Sequence, residues 1–324
     1  MISHKNVLVT GGAGFIGSNI IQRLLQSENT VVCLDNFATG YRHNIQEFEN
    51  NTNFTLIEGD IRDYKTCTDA VNTIDIVFHH AALGSVPRSI ADPIATTQVN
   101  IEGFVNILTA AKNAQVEKVI YASSSSTYGD ADYSPKVETQ KGNLLSPYAV
   151  SKQTNDLFAQ VFSHIYDIQT IGLCYFNVFG PKQDPNGAYA AVIPKFIHLL
   201  LNHSEPVIFG DGLQSRDFTY IDNVVHANLL AASSHTQNKH EHINIACNES
   251  ITLRDLTYYI IETLSSFDNE ISHITPQYGA PRLGDIPHSL ASIEKAHKIL
   301  QYTPQCTVRE GIKKTATWFW NNRS

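Results

Sequence analysis

The sequence predicts an α/β fold in which a doubly wound parallel sheet is followed by a smaller, mixed α/β region. Short apolar runs alternate with segments of helical periodicity through the first half of the chain, and such alternation builds a parallel sheet with helices on both faces. The predicted strands are almost continuously apolar, as expected for strands that are buried on both faces. After about residue 177 the pattern changes, because proline and glycine divide the chain into shorter segments.

Six strands and three long helices are predicted in the first half. In the first helix Ile16, Ile20 and Leu24 recur at helical spacing. The other two helices are long enough to cross over between parallel strands. The predicted strands are centred on residues 7–9, 31–34, 54–57, 76–78, 119–121 and 170–173, and the predicted helices cover residues 15–26, 99–114 and 148–166.

Helix-like stretches dominate the second half, and the polar segment Ser233 to His242 predicts a surface loop. A length of 324 residues is typical of about two domains. We predict a nucleotide-binding domain over residues 1–177, which also receives about 214–240. Residues 178–324 are predicted to form mainly a substrate-binding domain.

Composition and charge exclude several classes of protein. Apolar residues make up 42% and charged residues 17% of the chain, which rules out a disordered polar chain. The formal net charge of −8 and the lack of a basic stripe argue against nucleic acid and anionic membranes as partners. No long apolar leader precedes the first strand and no run approaches the ~18 apolar residues of a membrane span. We therefore expect a cytoplasmic protein.

Neither cysteine nor histidine spacing predicts a metal site. The five cysteines are scattered without a CxxC pair, so a disulfide framework is also not expected. The pairs His79-His80 and His240-Glu241-His242 lack a companion ligand at usable spacing, and HExxH is absent.

A glycine-rich loop lies between the first predicted strand and the first predicted helix. Gly11, Gly14 and Gly17 have the spacing G-x-x-G-x-x-G, which lets a pyrophosphate approach the main chain and the helix N-terminus. Asp35 ends the second strand, eighteen residues after Gly17, where a carboxylate reaches the ribose hydroxyls of a dinucleotide. The pattern is typical of a Rossmann domain, and the carboxylate favours NAD over NADP because it repels a 2′-phosphate.

Lys152 lies four positions after Tyr148, and Pro147 precedes them both, as is typical of a helix start. They therefore share one helix face. An ammonium near a phenol favours the phenolate, so we expect Lys152 to lower the pKa of Tyr148 toward a value useful for base catalysis. Upstream, Ser123 to Ser126 follow a strand, which places their hydroxyls at the ligand-binding edge of the sheet.

These motifs together resemble the extended short-chain dehydrogenase/reductase superfamily. The segments 79–82, 175–180 and 215–220 are similar to its nucleotide-sugar-modifying branch, the NAD-dependent epimerase/dehydratase family, over nearly the whole chain. Within that branch the likeness is greatest to bacterial UDP-N-acetylglucosamine 4-epimerases, which interconvert UDP-GlcNAc and UDP-GalNAc. The resemblance implies that Tyr148 is the base, that Ser124 binds the sugar 4-oxygen, and that Lys152 binds the nicotinamide ribose.

The resemblance also implies two sets of binding residues and a partner. A homodimer is implied through a four-helix bundle of segments 99–114 and 148–166, although the same helix faces could simply cover the sheet. The residues implied for NAD are Gly11, Gly14, Phe15, Ile16, Gly17, Asp35, Asn36, Gly40, Asp60, Ile61, Ala81, Ala82, Asn100, Ser123, Tyr148, Lys152 and Tyr175. Those implied for the UDP-sugar are Gly84, Ser85, Ser124, Ser125, Tyr148, Asn177, Gln183, Val192, Lys195, Phe209, Arg216, Arg282, Asp285 and Ser289.

Alternatives within the branch differ at single positions. Dehydratases carry an Asp-Glu pair, and decarboxylases a Glu, where this chain has Ser125 and Ser126, so dehydration and decarboxylation are not favoured. Galactose-type epimerases often carry a tyrosine where this chain has Ser289, and serine leaves room for an N-acetyl group. A UDP-glucose/UDP-galactose 4-epimerase and a catalytically silent NAD/UDP-sugar-binding regulator remain as alternatives.

Overall fold

The computed structural model of the protein describes residues 2–186, 190–281 and 288–323. The strands are β1 Asn6–Thr10, β2 Thr30–Asp35, β3 Phe54–Glu58, β4 Ile76–His79, β5 Lys118–Ser124, β6 Gln169–Tyr175, β7 Val178–Phe179, β8 Val207–Phe209, β9 Ser215–Arg216, β10 Thr219–Tyr220, β11 His240–Ile245, β12 Ile251–Thr252, β13 Gln277–Gly279 and β14 His288–Ser289. The helices are α1 Phe15–Gln26, α2 Tyr64–Ala70, α3 Val86–Ala91, α4 Pro93–Thr97, α5 Gly103–Asn113, α6 Pro147–Tyr166, α7 Val192–Leu201, α8 Ile221–Ser233, α9 Leu253–Ser265, α10 Glu294–Leu300 and α11 Val308–Asn321.

A seven-stranded parallel sheet forms the centre of the molecule, in the order β11-β6-β5-β4-β1-β2-β3. The predicted α/β fold is confirmed, and all six strands predicted in the first half are present. Two apolar clusters cover the two faces of the sheet. Because the strand order reverses between β1 and β4, a crevice opens there at the carboxyl edge of the sheet.

The helix that carries Tyr148 and Lys152 begins as the sequence predicts. Pro147 occupies its first turn, and the Ser146 side chain accepts a hydrogen bond from the Ala149 backbone N–H at 3.1 Å. That cap satisfies one of the backbone donors that a helix start leaves without an intrahelical partner. The start of α6 is therefore fixed locally.

The prediction of a surface loop over Ser233 to His242 is wrong at both ends, because Ser233 is the last residue of α8 and the last three residues belong to β11. β11 begins at His240 and adds a seventh strand beside β6. The polar side chains of β11 are typical of a surface loop in sequence, but in the fold they are paired inside the protein. His240 Nδ1 lies 2.8 Å from the Thr170 hydroxyl, and His242 Nε2 lies 3.3 Å from Asp156.

The second half contributes small sheets and helices to one side of the central sheet. β12, β9 and β14 form one such sheet, and β13 pairs with β8. The apolar side chains of the second half join the cluster on one face of the central sheet, so both halves of the chain share that core. The domain boundaries remain a prediction, and none of the helices in the described ranges is long and apolar enough to cross a membrane.

Candidate active site

The loop after β1 brings backbone rather than side chains to the crevice. Gly11 has a φ of +68°, and a Cβ there would lie 2.6 Å from the Ala81 nitrogen, so this position requires glycine. A Cβ on Gly17 would lie 2.2 Å from the Gly11 oxygen. Glycine at position 17 therefore allows the helix to pack closely on the loop. The N-terminus of α1 therefore faces the crevice with no side chain in the way, as an anionic pyrophosphate needs.

Asp35 lies at the carboxyl end of β2 and is almost completely buried. Its Oδ2 accepts a hydrogen bond from the Ala13 N–H at 2.9 Å, and its Oδ1 accepts one from the Phe37 N–H at 2.8 Å. Burial raises the pKa of this carboxyl, and those backbone bonds oppose the rise. The carboxylate thus holds the glycine loop while each oxygen keeps a lone pair for a ribose hydroxyl.

A pocket runs along the crevice and contains nine of the residues implied for NAD: Gly11, Gly14, Asp35, Asn36, Gly40, Asp60, Ile61, Ala81 and Ala82. The Asn36 amide donates to Asp60 at 2.8 Å, and Arg62 holds the pKa of Asp60 at about 2. The glycine-rich loop at the helix N-terminus suits a pyrophosphate, and the carboxylate at the end of β2 suits the ribose hydroxyls. Together these features fit NAD. His80, from the family-like segment 79–82, also lines the pocket, although it was not among the residues implied for NAD. The other lining residues belong to no motif and were not expected: Leu34, Ala38, Thr39, Gly59, Leu83 and Val99.

Several residues implied for NAD have side chains directed elsewhere. Asn100 bonds the main chain of Leu83 and the Ser151 hydroxyl. The Ser123 hydroxyl bonds Asp156 at 3.2 Å, and the Tyr175 hydroxyl lies 3.0 Å from His80 Nε2. Phe15, Ile16 and Gly17 form the start of α1 behind the loop. Their implied roles in binding NAD stay predictions.

Tyr148 and Lys152 share a face of α6, as predicted, beside the end of β5. Lys152 is 3% exposed, and its Nζ donates to the Ala122 carbonyl at 2.9 Å. Burial lowers the pKa of Lys152 to about 8, while the charge of Asp156 acts in the raising direction. The lysine can thus change protonation near neutral pH.

The pKa of Tyr148 does not follow the sequence-based expectation. Burial raises the pKa of this phenol, and a hydrogen bond with Ser124 lowers it in part. The expected lowering by Lys152 is therefore wrong for the protein alone: its ammonium is bonded to the Ala122 carbonyl. A positive charge brought close to the phenol would act in the lowering direction.

The serines after β5 form a 3-10 helix, Ser125–Tyr128, capped by Ser124. The Ser124 Oγ accepts hydrogen bonds from the Ser126 N–H at 3.2 Å and the Ser126 hydroxyl at 3.0 Å. Because it accepts two bonds there, its own proton is available to Tyr148 or to a bound oxygen. The turn itself, residues 125–128, carries no carboxylate.

A second, larger groove lies beside the first. The segment after β4 passes from one to the other, because His80 to Leu83 line the NAD pocket and Ser85 to Pro87 line the groove. Six residues implied for the UDP-sugar line it: Ser85, Asn177, Val192, Lys195, Phe209 and Arg216. Two cations and several apolar side chains suit a ligand with a diphosphate and a flat base. Missed apolar lining residues include Phe196, Leu199 and Phe218.

The remaining residues implied for the sugar occupy other positions. Ser289 pairs with Arg216 between β14 and β9, so it lies next to the groove. A Cβ on Gly84 would meet no atom within 4 Å, which indicates open space. The Gln183 Oε1 is buried and lacks a hydrogen-bond partner among the described residues. Arg282 and Asp285 lie outside the described residues.

The parallel sheet, the pocket at its carboxyl edge and the Tyr148–Lys152 pair on α6 are typical of the short-chain dehydrogenases/reductases. Residues 7–246 match the NAD dependent epimerase/dehydratase family, and the chain belongs to that family. Its cofactor is NAD, and the family resemblance seen in the sequence is confirmed.

Three relatives are similar over almost their whole length. A UDP-N-acetylglucosamine 4-epimerase from Methanobrevibacter ruminantium, solved with UDP-N-acetylmuramic acid, is 40% identical with a TM-score of 0.92 and 99% of each chain covered. A UDP-glucose 4-epimerase from Thermus thermophilus, solved with NAD, is 32% identical with a TM-score of 0.84, covering 98% of this chain and 99% of that chain. A UDP-glucose 4-epimerase of Mycolicibacterium smegmatis is 35% identical over 97% of this chain and 98% of its own.

Replacing Asp35 by alanine should weaken the retention of NAD without abolishing it. Two lost ribose hydrogen bonds correspond to about a five- to hundredfold weaker affinity. The measurement is the NAD content of purified protein after extensive dialysis. Asp69→Ala, which removes an exposed carboxylate paired with Lys65, is the control and should retain NAD. Equal retention of NAD and NADP by the unaltered protein would contradict the ribose assignment.

Proposed function

We propose that the protein is an NAD-dependent UDP-sugar 4-epimerase that interconverts UDP-N-acetylglucosamine and UDP-N-acetylgalactosamine, for use in bacterial surface polysaccharides. The observation that carries the proposal is Tyr148, hydrogen-bonded to Ser124 at the carboxyl end of β5, on the sheet edge that also carries the NAD pocket. A groove with Arg216 and Lys195 lies beside that pocket. The epimerase names of the relatives support the reaction. The name of the 40% identical structure supports the acetylated sugar.

The chemistry follows from what each side chain can do. The Tyr148 phenolate takes the proton of the sugar 4-hydroxyl, and the Ser124 hydroxyl bonds the same oxygen as it becomes a carbonyl. NAD held by the glycine loop and Asp35 would supply a reversible hydride acceptor for C4. After the oxidised sugar has turned in the groove, Tyr148 gives the proton back to its 4-oxygen. The net reaction consumes no cofactor.

The groove offers contacts that can hold the nucleotide while the sugar rotates. The reacting sugar has to rotate while the nucleotide stays fixed, so binding must come from the diphosphate and base. Arg216 and Lys195 offer charge-assisted bonds to a diphosphate, and Phe209 and Val192 offer apolar contact to a base. The Asn177 side chain donates to the Asp217 carbonyl at 2.8 Å, which fixes the amide at the groove wall.

Dehydration and decarboxylation need carboxylates at positions 125 and 126, where this chain has serines. Elimination of water across C5–C6 needs a carboxylate pair where Ser125 and Ser126 lie. In the structure the Ser126 hydroxyl bonds Ser124 rather than a carboxylate. A silent regulator is disfavoured by the intact Tyr148–Lys152 pair. A UDP-glucose/UDP-galactose 4-epimerase stays the second candidate, because two of the relatives carry that name.

Parallel incubation with UDP-N-acetylglucosamine and UDP-glucose tests the proposal. We expect the 4-epimer of the acetylated sugar to form with the higher kcat/KM, at constant total NAD. Chromatography of the sugar nucleotides measures both products. Turnover of UDP-glucose alone would favour the second candidate, and NAD retention with no turnover of either sugar would favour the silent regulator.

We further propose that a second copy of this chain covers the exposed face of α6. Leu157, Val161 and Ile165 recur along that helix and are exposed, and Ile94 of the adjacent α4 is 71% exposed. The predicted partner segment 99–114 contributes less than expected, since the apolar side chains of α5 are buried against the sheet. Large apolar side chains exposed in a row along a helix are typical of a subunit interface.

Light scattering at micromolar concentration should therefore show a homodimer. Val161→Glu combined with Ile165→Glu should shift the protein to a monomer, because each copy would bury two added charges at the interface. Tyr258→Glu, at an exposed position on α9, is the control and should leave the dimer intact. A monomeric unaltered protein would contradict the proposal.

A further inference from the structure

A buried carboxylate lies under the reacting residues. Asp156 follows Lys152 by one turn of α6 and is 5% exposed. Burying a carboxylate costs free energy unless it is paired and hydrogen-bonded. Its Oδ1 accepts a bond from the Tyr121 hydroxyl at 3.0 Å, and its Oδ2 accepts one from the Ser123 hydroxyl at 3.2 Å. Both donors belong to β5, so Asp156 connects the helix directly to that strand.

Two further groups complete the surroundings of Oδ2. His242 Nε2 on β11 lies at 3.3 Å and Lys141 Nζ at 3.5 Å. Burial lowers the pKa of His242 to about 4, so the ring is neutral at neutral pH and acts as a hydrogen-bond donor. The carboxylate thus joins α6, β5, β11 and the segment before α6.

Asp156 is connected to the reacting residues through the peptide bond between Ser123 and Ser124. Ser123, which Asp156 holds, is followed directly by Ser124, the hydrogen-bond partner of Tyr148. Tyr148 lies on the same helix as Asp156, two turns earlier. Any slip of α6 against β5 would change the Tyr148–Ser124 distance, and the Asp156 bonds resist that slip.

We propose that Asp156 is a positioning residue, which holds α6 and the end of β5 in one register so that Ser124 stays within reach of Tyr148 and which supplies a negative charge one turn from Lys152. The proposal rests on the proposed function only in that Tyr148, Ser124 and Lys152 serve the reaction. It does not depend on which sugar reacts.

The charge of Asp156 gives the proposal a pH signature. It raises the pKa of Lys152, which burial lowers to about 8. Without that charge Lys152 loses its proton at lower pH, and with the proton it loses the charge with which it would bind the nicotinamide ribose. The alkaline fall in activity should therefore begin at lower pH. Titratable groups from every neighbouring element face Lys152 or Asp156. They are His79 at the end of β4, His80 directly after it, Tyr121 on β5, Cys174 on β6, His240 and His242 on β11, Tyr148 on α6, and Lys141.

Asp156→Asn in the NAD-bound enzyme tests both parts. An amide has nearly the same shape, but it lacks the charge and has one acceptor oxygen for two hydroxyl donors. We expect kcat to fall about tenfold or more, since a misplaced catalytic group is costly, while KM changes less than about threefold. The alkaline limb of the kcat profile should move to lower pH.

A second variant separates geometry from charge. Tyr121→Phe with Ser123→Ala removes both hydroxyl donors and keeps the carboxylate. It should lower kcat with the alkaline limb in place, and the Tyr148 phenolate absorbance should appear at higher pH, because the Ser124 bond that lowers the pKa of Tyr148 is loosened. Tyr148→Phe identifies that absorbance. Asp167→Asn is the matched control at the exposed end of α6, where Asp167 pairs with Lys239 at 3.0 Å.

The outcomes separate this proposal from the proposed function. Both variants are assayed on whichever UDP-sugar the unaltered enzyme turns over, and the phenolate titration needs no substrate. A wrong sugar assignment therefore changes the assay but not the expected ratios. Unchanged kcat, alkaline limb and phenolate titration would overturn the proposal. A uniform loss of kcat, substrate affinity and Tm with an unmoved alkaline limb in Asp156→Asn would also overturn it, because it shows a structural role only.

Discussion

Replacing Tyr148 by phenylalanine should lower kcat by about two to four orders of magnitude while leaving the fold and NAD retention intact. General base catalysis contributes about 10²–10⁴-fold, and phenylalanine removes only the hydroxyl that takes the proton. Because burial raises the pKa of Tyr148, the active phenolate is the minor form at low pH. The kcat of the unaltered enzyme should therefore rise with pH along an acid limb, and the residual activity of Tyr148→Phe should lack that limb.

Tyr166→Phe gives a matched control, because Tyr166 ends the same helix and is exposed. It should retain the kcat and the acid limb of the unaltered enzyme. Product formation is followed by chromatography, and bound NAD is measured after denaturation. Near-full activity of Tyr148→Phe, with NAD still bound, would remove Tyr148 from the mechanism.

Local signals made the first half of the fold predictable. A glycine loop, an acidic strand end and a capped helix start each act over a few residues, so the elements from β1 to α1 and the start of α6 follow from the sequence. Gly11 is a clear example, because its positive φ and its close approach to Ala81 both exclude a side chain.

Long-range pairing limited what the sequence could predict. β11 was missed because His240 and His242 are polar, and only the folded protein supplies the Thr170 and Asp156 partners that make their burial favourable. The pKa of Tyr148 was misjudged for the same reason: sequence spacing placed Lys152 on the same face but could not show that its ammonium bonds the Ala122 carbonyl.

The residues of the candidate site also fall into two groups, those that local motifs predict and those that only the folded chain brings to the pocket. Motif residues that act through backbone or charge at strand ends, such as Gly14 and Asp35, line the predicted pocket. Ser123 belongs to a motif as well, but its hydroxyl faces Asp156, a residue that no motif marked. Residues such as Leu83 and Val99 shape the pocket by packing alone, and packing leaves no mark in a single sequence.

Replacing Ser289 by tyrosine should remove activity on acetylated sugars selectively. Ser289 lies beside Arg216, which lines the groove. The Ser289 carbonyl accepts a hydrogen bond from the Asp217 N–H at 2.8 Å. That backbone bond survives the substitution, so the main effect is the added ring. UDP-N-acetylglucosamine would then clash at C2, whereas UDP-glucose carries only a hydroxyl there. Ser289→Ala is the control and should leave both activities near their original values.

The expected size is a loss of about a hundredfold or more in kcat/KM for the acetylated pair, since a block of several heavy atoms corresponds to several kcal/mol where the pocket cannot relax. Activity on UDP-glucose should stay or rise, because Tyr148, Lys152 and Ser124 lie on β5 and α6 and are not moved by a change on β14. An equal loss on both sugars would mean general damage to the groove. No change on either would place Ser289 away from C2, and the acetylated substrate would then be supported by the similarity of the whole chain alone.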